Sequence, residues 1–110
     1  MIGIEQILAL SEEIAREFNP ERIILFGSYA YGMPRDDSDI DLLVVLPFNG
    51  KSARKALEIM SKINPRIPLD LIVRTPEQVD ERLANNDWMM RDTIEKGRTL
   101  YEANHARMGR

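Results

Sequence analysis

Apolar residues return every three or four positions at the start of the chain, at Ile4, Ile7, Leu8, Ile14, Ala15 and Phe18, a spacing that gives a helix one buried stripe. That helix ends before Pro20, because the residue preceding a proline is disfavoured in helical backbone. Arg22 to Phe26 is a compact run of branched and apolar residues and predicts a buried strand pointing at Gly27. Gly27 to Ser38 holds Gly27, Ser28, Gly32, Pro34 and a polar cluster, which predicts a turn with at most one helical turn. Asp39 to Leu46 alternates at first and then becomes continuously apolar, as a largely buried strand does. Helical spacing returns at Ala53, Ala56, Leu57, Met60 and Ile63, and Pro65 closes that element. Leu69 to Val73 predicts a third strand, interrupted only by Asp70.

Thr75 and Gln78 form the sequence of a capping box with Pro76 at the first helical position, so a helix starts there and Asn85-Asn86 breaks it. A further helix, Asp87 to Lys96, takes Asp87 as its cap and Gly97 as its left-handed stop, leaving Thr99 to Glu102 as an edge strand. Strands alternating with helices predict a mixed sheet with helices packed on it, in the α/β or α+β class. The expected organisation is one domain over residues 1–103 and a frayed tail over 104–110, in which His105, the only histidine, has no assigned role.

Composition narrows the chemistry. Hydrophobic residues at 44% and charged residues at 30% are an ordinary globular mix and argue against disorder throughout. Fifteen Lys and Arg against eighteen Asp and Glu leave a net charge of -3, so a polyanion has to be held locally and direct nucleic-acid binding is not expected. The lack of cysteine excludes disulfides, thiolate zinc sites and thiol nucleophiles, and agrees with a cytoplasmic location. The longest apolar run, Leu42 to Pro47, is far short of the roughly 20 residues that cross a membrane.

Asp is depleted from strands, yet Asp39, Asp41 and Asp70 occupy strand-like runs. Residues two apart on a strand share a face, so Asp39 and Asp41 project together while Ile40 and Leu42 face the other layer. Asp70 joins them if its strand pairs beside theirs. An Asp-x-Asp pair alone is only the polar half of a half-wet strand, and Gly-Ser alone is only a turn. Their combination says more: an apolar strand runs into Gly27 and Ser28, where backbone can approach a ligand closely, and the paired carboxylates follow a short distance on. Crowded carboxylates escape repulsion by raised pKa values, basic partners or divalent cations, and an oxygen-only donor set favours magnesium or manganese over zinc.

Gly27-Ser28-Tyr29-Ala30-Tyr31-Gly32 followed by Ser38-Asp39-Ile40-Asp41-Leu42-Leu43-Val44 resembles the signature of the nucleotidyltransferase superfamily that includes DNA polymerase beta. More narrowly, it resembles the minimal nucleotidyltransferases, small prokaryotic antitoxins usually paired with a HEPN-type toxin. The resemblance extends from Arg22 to Glu102, with Asp70 as third acidic position and Ile94, Gly97, Leu100, Tyr101 and Glu102 as closing pattern. It implies a short mixed sheet flanked by helices, two magnesium ions on Asp39, Asp41 and Asp70, and a triphosphate at Gly27 and Ser28, with Ser38 and Arg35 of the loop beside it. It further implies that Asp70 helps deprotonate the acceptor, and that AMP passes from ATP to a tyrosine hydroxyl of the toxin within a hetero-oligomer. Tyr31 departs from the pattern, since many relatives carry arginine there, and this implies weaker hold on the triphosphate.

Two rival readings remain at this level: an antitoxin that works by occlusion alone, and a nucleotide-binding subunit completed by a separate helical protein. Trp88 beside Met89 and Met90 reads as core packing of a short helix ahead of an interface patch. Lys51, Arg54, Lys55 and Lys62 read as a solvated helix face.

Overall fold

The computed structural model describes residues 2–103. Its elements are α1 (Ile4–Phe18), β1 (Arg22–Phe26), β2 (Ile40–Val45), α2 (Ser52–Ile63), β3 (Leu69–Arg74), α3 (Pro76–Ala84), α4 (Trp88–Lys96) and β4 (Arg98–Glu102). The expected tail from 104 onward, with His105, lies outside the described residues.

The four strands form one mixed sheet in the order β3-β2-β1-β4. β1 runs antiparallel to both β2 and β4, while β2 and β3 are parallel with α2 as the crossover between them. Alternation along the strands divides the core in two. Ile23 and Leu25 of β1, Ile40, Leu42 and Val44 of β2 and Val73 of β3 face α1 and α2, where Ile7, Leu10, Ile14, Ile59 and Ile63 close the larger cluster. Ile24, Leu43 and Val45 face α3 and α4, where Val79 and Met90 close a smaller one.

The helices begin and end for local reasons. Thr75 Oγ1 accepts from the Gln78 amide at 3.1 Å while Gln78 Oε1 accepts from the Thr75 amide at 2.9 Å, the expected capping box of α3. Asp87 accepts from the Met90 amide at 3.0 Å and caps α4. Asn19 and Asn64 stop α1 and α2 in the left-handed region, with φ of 51° and 48°, a conformation Asn tolerates better than most side chains.

Four expectations are corrected. In α1 the buried stripe is Ile7, Leu10, Ser11, Ile14 and Ala15, whereas Ile4 and Leu8 are exposed. Ser11 can be buried because its hydroxyl donates to the Leu8 carbonyl at 2.8 Å. In α2 the buried residues are Ile59 and Ile63, and Leu57 is 66% exposed. Gly97 is not left-handed: its φ is -69°. It is small because β1 passes close by, and a Cβ there would lie 2.7 Å from Ile24 Cγ2 and 2.9 Å from the Leu25 carbonyl. Trp88 is 76% exposed and Met89 51%, so only Met90 of that trio packs in the core.

Candidate functional site

Register brings the acidic residues together. Asp41 is the second residue of β2 and stands opposite Asp70 across the parallel ladder and opposite Phe26 across the antiparallel one. Asp39 sits just before β2, two residues from Asp41. Ile40 and Leu42 are buried on the α1 and α2 side, so Asp41 lies on the face that α3 and α4 cover only in part. Asp41 is half-buried, and Asp39 and Asp70 are exposed. Burial first, then the Asp70 and Asp39 charges and a hydrogen bond with Asp70, push the Asp41 carboxyl up from its ordinary 3.8 to about 6. A carboxylate in this position holds its negative charge against resistance that a cation would relieve.

Gly27 makes the room for Asp41. It ends β1 with φ of 75°, and a Cβ added there would run into the Asp41 carboxylate, its carbon already only 3.0 Å away. Glycine is needed for both the backbone and the contact. After it the chain makes the single helical turn anticipated: the Ala30 and Tyr31 amides donate to the Gly27 carbonyl at 3.0 and 3.2 Å, and Met33 donates to the Ser28 carbonyl at 3.0 Å. Ser28 therefore opens the loop beside Asp41. Ser38 is occupied by structure, since its hydroxyl accepts from the Arg35 amide at 2.8 Å and its own amide donates to the Arg35 carbonyl at 3.0 Å. That small turn delivers Asp39 to the sheet. The Arg35 side chain stays exposed.

Residues 7–101 match the family model of the nucleotidyltransferase domain. The chain belongs to the nucleotidyltransferase domain family. It is 31% identical over 84 residues to a protein of Methanocaldococcus jannaschii provisionally named a protein adenylyltransferase, covering 74% of this chain and 78% of the relative. A crystal structure from Sulfolobus solfataricus, provisionally named a nucleotidyltransferase, superposes with a TM-score of 0.63 at 23% identity, over 89% of this chain and 78% of the other. A toxin-antitoxin structure with AMP-PNP gives a TM-score of 0.55 at 20% identity, over 89% of this chain and 75% of the other. At those identities the solved structures show a shared fold. The nucleotidyltransferase resemblance and the mixed α/β architecture drawn from the sequence are borne out, and the protein is a nucleotidyltransferase enzyme.

Two features of this nucleotidyltransferase were not legible beforehand. Tyr31, noted only as the residue standing where relatives have arginine, donates its hydroxyl to Asp92 Oδ2 at 2.8 Å and ties the loop to α4. That hydrogen bond is the main reason the Tyr31 hydroxyl is harder to ionise and Asp92 easier. The partners are 61 positions apart, and no local pattern announces such a pair. The second is Arg74, at the far end of β3, which is half-buried next to Arg82.

The carboxylates meet the demands of a divalent cation in donor chemistry. Among the described residues no three acidic groups converge into a ready-made metal cage; Asp41 and Asp70 face each other and Asp39 acts on Asp41 from the side. Magnesium keeps several waters and takes one or two carboxylates together with substrate phosphates, so a preassembled cage is not required. Hard oxygen donors, like-charge crowding at Asp41 and the space kept by Gly27 fit such an ion. Another depression, of about 510 Å³ between α1 and the α2–β3 turn, includes none of these carboxylates. No helix among the described residues is long and apolar enough to cross a membrane.

Proposed function

We propose that this enzyme is a magnesium-dependent protein adenylyltransferase that moves AMP from ATP to a hydroxyl of a HEPN-type toxin, acting as its cytosolic antitoxin. The observation that carries the reading is Asp41 facing Asp70 in register beside the opening that Gly27 leaves. The provisional name of the archaeal relative and the toxin-antitoxin fold neighbour support acceptor and partner.

Asp39, Asp41 and Asp70 would hold the magnesium ions. Bound there, the metal supplies Lewis-acid activation of the acceptor and neutralises charge on the entering and leaving oxygens. Gly27 and Ser28 receive the triphosphate, with Arg35 in the same loop. Asp70 is exposed on an edge strand, where a hydroxyl carried by another protein can reach it. There it takes the proton as the acceptor oxygen bonds to the α-phosphorus and pyrophosphate leaves. Holding acceptor and nucleotide in line supplies much of the rate, and a docked partner provides that alignment.

Incubation with ATP labelled on the α-phosphate, magnesium and the folded product of the neighbouring gene tests the reading. Label is expected on the partner with the wild type and not with an Asp39→Asn, Asp41→Asn double variant. Absence of transfer by the wild type contradicts it. Tyr31 in place of arginine favours a second reading, occlusion without chemistry; full restraint of the toxin by the double variant at equal abundance would select it.

A further inference from the structure

We propose that the cleft between β3 and the α3–α4 corner is the subsite for the nucleobase, a purine that stacks against Trp88 with its edge on Arg74. The inference deepens the nucleotidyltransferase reading and rests on it for the phosphate end. Starting from the facing pair Asp41 and Asp70, the next residues on the same face are Leu43 and Ile72, about 7 Å further along the strands. They floor a narrow recess with Phe26 and Met90. The recess is about 50 Å³, smaller than a purine, and shares Arg74, Arg82 and Asp87 with an open cleft of about 790 Å³ walled by Trp88. A planar base lies at their junction, on the sheet face that carries the carboxylates.

The side chains there suit a base. Trp88 offers an exposed ring, and every base has a π-face that stacks on an aromatic side chain. Arg74 donates Nη1 to its own Val73 carbonyl at 2.7 Å, while its Nε is buried and finds no acceptor among the described residues. That shielded atom marks an incompletely satisfied guanidinium, and Arg74 itself lines both the recess and the cleft, so a base edge at their junction meets a charged donor. Burial and the neighbouring Arg82 also lower the Arg74 pKa, a sign of poor solvation. Asn85 and Asn86 line the same cleft and carry the paired donor and acceptor that match an adenine edge. Arg82 is already paired with Asp87 at 3.1 Å, which leaves Arg74 as the donor for the ligand.

The test uses the full chain with magnesium and compares ATP with inorganic tripolyphosphate, which lacks a base. Trp88 is the only tryptophan, so its emission reports the cleft directly. Both ligands are expected to bind by calorimetry, and ATP alone to change Trp88 emission. Arg74→Met is expected to weaken ATP about tenfold, as loss of a charge-assisted hydrogen bond does, and to leave tripolyphosphate unchanged. Should that variant fail to fold, Asn85→Ala, at an exposed position, is expected to weaken ATP about threefold with tripolyphosphate again unchanged. ATP binding without a change in Trp88 emission overturns the subsite and leaves the phosphate site standing, as does ATP binding of wild-type strength by the folded variant. Failure of the wild type to bind either ligand overturns the nucleotide reading of the Gly27 and Asp41 site along with it.

Discussion

The two faces of the sheet are built to different ends. The face toward α1 and α2 is closed by a continuous apolar layer in which Ile14, Ile23, Leu25, Ile40, Leu42, Val44 and Ile59 are all but fully buried. On the other face α3 and α4 cover only Ile24, Leu43, Val45 and their neighbours, and beyond that cover stand Asp41 and Asp70. The first face stabilises, since burying one such side chain contributes about 1.5–3 kcal/mol. The second forgoes part of that stabilisation to hold like charges in register. Adjacent positions of β2 therefore serve opposite purposes: Ile40 and Leu42 anchor the strand that Asp41 strains.

The largest expected break in that contrast is Asp41→Asn. It should lower nucleotidyl transfer by about 10²- to 10³-fold, the scale of removing one electrostatic group from a reacting centre, while raising the thermal midpoint at pH 7. The sign follows from the raised pKa. Because folded Asp41 binds its proton more tightly than the ordinary carboxyl, its contribution to stability is present below 3.8 and is lost as pH rises through about 6. The wild type should thus lose stability relative to Asp41→Asn across that window, and magnesium with nucleotide should restore it; melting curves against pH check both.

Gly27→Ala comes next. The new methyl meets the Asp41 carboxylate at a positive φ, so transfer should drop by about 10-fold to 100-fold, the effect of misplacing a reacting group by an ångström or less, and stability by about 1–2 kcal/mol in denaturant titration. Ile59→Val on the opposite face should do the reverse: stability falls by about 1 kcal/mol, and kcat/KM of the folded enzyme is unchanged. Smallest is Tyr31→Phe. Its bond to Asp92 is solvent-exposed, so the melting curve should not move, yet the amides of Ser28 to Met33 should exchange hydrogen faster.

How much of this could be read in advance follows from the range of each interaction. Strands β1, β2 and β3 are legible from short apolar runs, and α3 from Thr75, Pro76 and Gln78, because those signals act within a few residues. The facing of Asp41 and Asp70 is legible only on condition that their strands pair, which the parallel register supplies. Ser11 is missed as a core residue because a polar side chain satisfied by its own helix looks like a surface one. Gly97 is misread because close packing against Ile24 and a left-handed turn demand the same residue. Trp88 is taken for core since its exposure depends on which side of the α4 turn faces β1. The Tyr31 to Asp92 bond has no local signature at all.

The central claim is that Asp39, Asp41 and Asp70 act as one cation site. Manganese uptake, read by electron paramagnetic resonance with a non-hydrolysable ATP analogue, measures it most directly. About two ions per chain should bind to the wild type, and each of Asp39→Asn, Asp41→Asn and Asp70→Asn should lose at least one. Variants that take up manganese as the wild type does would contradict the account.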